Sequence, residues 1–256
     1  MKLSILISTY NERILDIGDI LTILNDDRVE ILIGHQCSDS FVYKDSFKQP
    51  NVSYYNLKSK GVTRSRNFLL GKAIGEIVYF CDDDIILDDN FVNTIVNSHI
   101  DNDSPVITFK INNEYNQPRK NYPMSGSYRS WFSILSVGTV EITFKRKFLG
   151  KICFPNDMGA GTSIPTGDEA VFLSNFLRKG FKIYHSGLLI ASHPDESSGS
   201  NISHATTLSR GVTLRRVYGI FGIFLILPFF IQRRKVLFRP SGEYSALLVF
   251  IKGYFL

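Results

Sequence analysis

Apolar residues arrive in short runs separated by polar clusters, and the period of the runs alternates along the first third of the chain. Leu3-Ser4-Ile5-Leu6-Ile7-Ser8 is dense in branched apolar side chains over the length of one strand, and it stops at Thr9-Tyr10-Asn11-Glu12. A helix-like stretch follows to about Leu24. Val29-Glu30-Ile31-Leu32-Ile33 predicts a second strand leading into the polar segment His35-Gln36-Cys37-Ser38-Asp39-Ser40, and Val52-Ser53-Tyr54-Tyr55 predicts a third. Gly61-Val62-Thr63-Arg64-Ser65-Arg66-Asn67 opens a helix running to about Ala73. Glu76-Ile77-Val78-Tyr79-Phe80-Cys81 is then a fourth strand, closed by Asp82-Asp83-Asp84. Strand and helix alternating at this spacing predict an α/β fold with a mostly parallel sheet. Ligands of such sheets gather at the carboxyl ends of the strands. Thr9–Glu12, Ser38–Asp39 and Asp82–Asp84 all fall there.

The middle of the chain is less regular. Val106–Ile111 and Val137–Phe144 have strand character, and between them Asn112–Ser130 is rich in Asn, Pro, Tyr and Ser, a long loop of the kind that covers a site. Gly159-Ala160-Gly161-Thr162 and Pro165-Thr166-Gly167 mark a second flexible segment. It leads into Asp168-Glu169, which opens a helix to Lys179 with Gly180 as its stop. Acids in a first helical turn are also favoured by the helix dipole, so capping is the plain alternative for this pair. A strand-like run, Ile183–Ile190, precedes His193.

Charge divides the chain in two. From Thr206 onward there are eight Lys and Arg against the single acid Glu243, a surplus of seven; since the whole chain carries +5, the remainder stands at −2. Within this basic part, Val217–Ile231 is almost unbroken in apolar character and is flanked by Arg215-Arg216 and Arg233-Arg234-Lys235. Fifteen helical residues reach about 22 Å, short of the roughly 30 Å of a hydrocarbon layer. Pro228 would kink such a helix, and basic residues at both ends lack the one-sided bias of a spanning segment. The tail is therefore expected to lie as helices on an anionic membrane surface; a helix closing the domain, or a dimer contact, is the alternative. Nucleic acid is not expected as a partner, because the basic segment is mainly aliphatic and has no recognition motif. Three widely spaced cysteines make neither a zinc pattern nor a disulfide framework, and Met1–Ser8 has the character of a first strand rather than a signal peptide. Together these predict a cytoplasmic protein, peripheral on the inner face of the cell membrane.

Three adjacent carboxylates at a strand end repel one another unless solvent or a cation offsets them. Mg²⁺ or Mn²⁺ suits such oxygen donors and commonly shares them with phosphates. The triplet thus predicts a metal-dependent enzyme acting on a phosphorylated donor, against the plainer reading of an acidic turn in solvent.

In order, Thr9-Tyr10-Asn11-Glu12, Arg64-Ser65-Arg66-Asn67, Asp82-Asp83-Asp84 and Gly167-Asp168-Glu169 resemble the motifs of family 2 glycosyltransferases of the GT-A fold, over about residues 3–195. The resemblance implies a Rossmann-like, mostly parallel sheet flanked by helices; with the tail read above, this divides the chain into a catalytic domain over 1–205 and a helical membrane-associating segment over 206–256. It implies a nucleotide-sugar donor, a UDP-sugar by default, and transfer with inversion to a hydroxyl of a saccharide acceptor. The membrane-seeking tail suits an acceptor linked to a polyprenyl diphosphate, as in bacterial surface-polysaccharide synthesis. By resemblance Asp84 is the direct metal ligand, Asp82 contacts ribose or a metal-bound water, Asp83 lies between them, and His193 completes the metal shell unless it is structural. Thr9, Tyr10 and Glu12 correspond to contacts with the nucleoside. Arg64 and Arg66, with Asn67 in the same motif, correspond to the diphosphate site, ordinary helix-surface charge being the alternative. An inverting transfer needs a general base, and the acidic pair supplies it: position favours Glu169, with Asp168 second. One departure is plain. Where the family carries adjacent acids after the second strand this chain has Gly34-His35, with Asp39 farther on as a possible nucleoside contact. A domain of the same fold that binds sugar nucleotides without turnover is the alternative to an enzyme.

Overall fold

The computed structural model describes residues 1–37, 47, 49–193, 202–234, 237 and 243–256. The chain opens with β1 (Leu3–Tyr10), a 3₁₀ segment (Asn11–Asn25), β2 (Val29–Gln36), β3 (Val52–Leu57), α1 (Val62–Leu70) and β4 (Ile77–Cys81). Then come β5 (Ile86–Leu87), α2 (Phe91–Asp101), β6 (Val106–Asn112), β7 (Ser127–Tyr128), β8 (Ile142–Lys145), α3 (Asp168–Arg178) and β9 (Ile183–Ser192). Helices α4 (His204–Tyr218), α5 (Ile226–Arg233) and α6 (Glu243–Tyr254) close the chain, with a 3₁₀ segment, Gly219–Leu225, between α4 and α5.

The strands form one sheet in the order β3-β2-β1-β4-β8-β6-β9-β5, with β7 beside β9. Strands β1 to β4 are parallel, as their βα spacing predicts, with Ile5 level with Ile31 on one side and Tyr79 on the other. The sheet becomes mixed where β8 enters antiparallel between β4 and β6. Leu3, Ile5, Leu6 and Ile7 are all fully buried, because helices cover both faces and an unbroken apolar run is what such a strand requires. Alternate residues feed opposite layers. Leu3, Ile5 and Ile7 pack with Ile31, Tyr79, Phe91 and Phe109 on one face, whereas Leu6 packs with Phe80, Phe144, Phe172 and Phe176 on the other. The abundant phenylalanines do much of the packing on that second face; Phe154 and Phe172 stack with centroids 4.2 Å apart.

Three details add to the sequence expectations. The helix-like stretch after β1 is a 3₁₀ segment, and its buried Ile14, Ile17 and Ile20 recur every third residue, the spacing that keeps one face of a three-residue turn inward. Of Val137–Phe144 only the second half is strand; Thr139–Glu141 is a 3₁₀ turn, held by the Gly138 N–H donating to the Glu141 carboxylate at 3.1 Å. Finally, the packing does not break at residue 205. Val212 and Val217 of α4 lie in the same core layer as Leu6, Phe80 and Phe172. Helices α4 and α6 cross through glycine: a Cβ on Gly211 would come within 2.1 Å of the Phe250 carbonyl oxygen, and one on Gly253 within 2.1 Å of the Leu208 carbonyl oxygen. Leu214, Ile226, Phe230, Ala246, Phe250 and Tyr254 form a third, smaller core there.

Candidate active site

The carboxyl ends of β1 and β4, the start of α3 and the end of β9 meet on one edge of the sheet. Asp82, Asp83 and Asp84 leave β4 there, and the next residues make β5, which pairs antiparallel with the end of β9: Ile86 faces Ser192 and Leu87 faces Ala191. That pairing brings His193 back to the triplet from a distant part of the chain. Its Nε2 lies 3.3 Å from Asp84 Oδ1 and 3.8 Å from Asp82 Oδ2. Its backbone N–H donates to the Asn112 carbonyl at 3.0 Å, which anchors the histidine to β6 as well.

Each aspartate has a different environment. Burial raises the Asp82 pKa, but the His193 hydrogen bond and the Arg66 charge outweigh it and hold the carboxyl at about 2. The Asp83 side chain is the least exposed of the three; desolvation pushes it to about 6 against the opposing pull of Thr9 and Arg13. Asp84 Oδ2 accepts from Arg13 Nη2 at 2.8 Å, while Oδ1 is buried with no hydrogen-bond donor. Arg13, just after β1, also pairs with Asp83.

Arg66 joins the two acidic centres. Its guanidinium is buried, donating from Nη2 to Asp82 at 3.2 Å and from Nη1 to Asp168 at 3.1 Å, and it lies over the Phe154 ring with 5.6 Å between its carbon and the centroid. Asp168 is likewise buried; desolvation and the neighbouring Glu169 push its pKa up, and Arg66 counters them. The start of α3 is fixed by Gly167, whose φ of 94° suits glycine. A side chain there would also strike Thr213 of α4, at 1.9 Å from its Oγ1. Glu169 is half-buried and accepts a hydrogen bond of 2.6 Å from the Thr139 hydroxyl. Beneath it, Lys120 reaches from the long loop to pair with Glu141, and Arg129 stands 3.7 Å from the other oxygen of the same carboxylate.

The remaining candidates sort by their partners. Tyr10, Glu12 and Arg64 lie on the same edge, Tyr10 and Arg64 exposed, and Arg64 Nε donates to the Asn156 carbonyl at 3.4 Å. Thr9 is buried against Asp83. Asn67 is engaged elsewhere, where its amide donates to the Phe154 carbonyl (2.9 Å) and to Asn156 Oδ1 (2.8 Å), and its oxygen accepts from the Phe154 N–H (2.9 Å). Asp39 lies outside the described residues. His35 is buried inside β2, its Nδ1 2.7 Å from the Tyr54 hydroxyl and its Nε2 2.8 Å from the Asn11 carbonyl. Sequence reasoning missed Arg13, Thr139, Lys120, Arg129 and Glu141. Arg13 adjoins the Thr9–Glu12 cluster and so carried a weak signal; the other four are brought in by loops whose pairing no local pattern announces.

Among the described residues, no group of three or more His, Cys, Asp or Glu side chains is disposed as a ready-made metal shell. The donor set nonetheless fits a hard dication: Asp84 has a buried oxygen without a donor, facing a histidine, beside a second carboxylate held ionised.

Comparison with known proteins agrees with this geometry. A search of curated proteins gives no sequence match. Among solved structures, S. aureus TarS 1–349 superposes with a TM-score of 0.68 at 17% identity, covering 99% of this chain and 81% of that one. The same protein in complex with UDP gives 0.67 at 16% identity over 99% and 81%, and in complex with UDP-GlcNAc 0.67 at 16% over 99% and 82%. The glycosyl transferase family 2 pattern matches residues 4–159, more than half of the sequence, including β1 to β4 and the aspartate triplet. The chain therefore has the GT-A fold and belongs to glycosyl transferase family 2.

Proposed function

We propose that this protein moves a sugar from a nucleotide-sugar donor to a hydroxyl of a saccharide acceptor, inverting the anomeric carbon. The observation that carries this reading is the pairing of two acidic centres on one sheet edge: Asp82 and Asp84 with His193 at one, Asp168 and Glu169 at the other, joined by buried Arg66. Asp84 and His193 would hold a divalent cation, with Asp82 beside it; bound there, Mn²⁺ or Mg²⁺ would offset the charge that develops on the departing diphosphate. Exposed Arg64 would meet phosphate oxygens, whereas Arg66 is engaged with Asp82 and Asp168. Glu169, oriented by Thr139, takes the proton of the acceptor hydroxyl. The hydroxyl oxygen bonds to the anomeric carbon as the bond to the diphosphate oxygen breaks on the opposite face, and the electron pair leaves with the nucleotide. UDP-sugars are the first donors to test, because a protein of this fold is seen in complex with UDP and with UDP-GlcNAc.

The direct test is a panel of nucleotide sugars scored by thermal stabilisation with and without Mn²⁺. The parent protein is expected to be stabilised by at least one donor only when metal is present, and Asp84→Ala to lose that metal dependence. An Asp84→Ala variant stabilised as strongly as the parent would sink the metal assignment. Metal-dependent binding with no turnover of any donor would favour a binding domain over an enzyme.

The proposed role extends to the membrane. His204–Arg233 is long and apolar enough to cross a bilayer by length and composition, yet Gly219 (φ 60°) breaks it and the α4 half is packed into the core. A surface helix pair is the better match. Ile220, Phe221, Phe224, Leu227 and Ile231 are exposed between Arg215 and Arg234, a basic-flanked apolar edge of the kind that settles into headgroups. That placement would put the site at the cytoplasmic face, within reach of a polyprenyl-diphosphate-linked acceptor. Deleting 206–256 would remove part of the core, so point changes are the sounder test. Phe221→Asp with Phe224→Asp is expected to weaken binding to phosphatidylglycerol vesicles by about tenfold or more without loss of fold, since burial of each ring is worth roughly 1.5–3 kcal/mol. Flotation equal to the parent's would argue that this edge meets another protein.

A further inference from the structure

The aspartate triplet already has a cation of its own. Arg13 Nη2 donates to Asp84 Oδ2 at 2.8 Å and to the buried Asp83 carboxylate from the same nitrogen. The other oxygen of Asp84 is buried, without a donor, and 3.3 Å from His193 Nε2. Asp84 therefore has an arginine against one oxygen, while the other, facing the imidazole, is the one open to a metal ion. A guanidinium on one oxygen of a carboxylate and a dication on the other repel each other, so each weakens the hold of the other.

The chain around Arg13 is built to let only its side chain move. Asn11 takes a left-handed φ of 50°, and its carbonyl is fixed at 2.8 Å from His35 Nε2. Ile14, the next residue, and Ile17, one turn further on, are buried in the core, which pins the backbone. The Arg13 side chain itself is half exposed, 52%, on a long flexible stem. Arg66 contrasts with it at every point: 7% exposed, stacked over Phe154 and held by two carboxylates. One arginine is a fixed strut and the other can leave.

We infer that Arg13 is the resident counter-cation of the triplet in the metal-free protein and that its charge, held on Asp84 Oδ2 and Asp83, opposes entry of a divalent cation at the adjacent Asp84 Oδ1. The inference rests on the metal assignment above. It makes metal affinity depend on Arg13: the ion enters against the charge that already neutralises the triplet. It also gives a reason why three adjacent aspartates stay folded at a strand end before any metal arrives.

The test is Mn²⁺ binding to the whole protein, without nucleotide, by calorimetry and by the loss of free-ion electron paramagnetic resonance signal. Arg13→Gln keeps much of the length and removes the charge, and it is expected to bind Mn²⁺ about tenfold tighter than the parent. Arg13→Lys keeps the charge and is expected to stay within about threefold of the parent. Circular dichroism and melting of both variants establish that the fold survives. Equal or weaker Mn²⁺ affinity in Arg13→Gln overturns the inference while leaving the metal site standing. No Mn²⁺ binding to the parent or to Arg13→Gln overturns both.

Discussion

Glu169→Gln is expected to bind UDP with Mn²⁺ as the parent does and to lose sugar transfer by about 10²–10⁴-fold, the usual worth of a general base. The substitution is nearly isosteric. The Thr139 hydroxyl can still donate to the amide oxygen as it does to Glu169 Oε1 at 2.6 Å, so the geometry is retained while the proton acceptor is lost. Asp168 is the rival for this role. It is buried and paired with Arg66 at 3.1 Å, whereas Glu169 is half-buried and reachable by an acceptor. Nucleotide release from an accepted donor, with affinity measured separately, distinguishes the two. Full transfer by Glu169→Gln would move the base to Asp168.

Arg66→Ala is expected to cost about 3–5 kcal/mol of stability, because it strands buried Asp168 and removes a partner of Asp82. For a chain of this size that lowers the melting midpoint by on the order of 10 °C. The loss of the cation over the Phe154 ring adds to it. Activity should fall with stability, since the same residue sets the separation of the two acidic centres. Arg66→Lys tests the geometry separately: one ammonium cannot reproduce a planar fork that serves two carboxylates from two nitrogens, so it should recover only part of the loss. An unchanged midpoint in Arg66→Ala would mean that solvent already screens both acids, contrary to the burial of Asp168.

These two residues also show how far the sequence could be read. The Arg64–Asn67 motif falls, as its pattern predicts, at the start of α1, where Arg66 reaches Asp82 of the triplet. Its division of labour was not legible. Arg66 turns inward to hold Asp82 and Asp168, Asn67 clamps the 154–156 segment, and of the three Arg64 stays exposed. Spacing along a helix says which residues share a face; it does not say which distant segment will fold against that face.

The sequence by itself determined the parallel half of the sheet, the aspartate triplet at the end of β4 and the acidic pair opening α3. Each depends on residues close together in the chain: apolar runs long enough for a strand, polar residues that end it, a glycine that starts a helix. Tertiary structure alone decided that β5 pairs with β9 and so delivers His193, and that the Thr139–Glu141 turn reaches Glu169. It alone decided that Arg13 folds onto the triplet and that α4 joins the core instead of standing apart. All of these are contacts between remote segments, fixed by which surfaces bury each other, and no local periodicity encodes that choice.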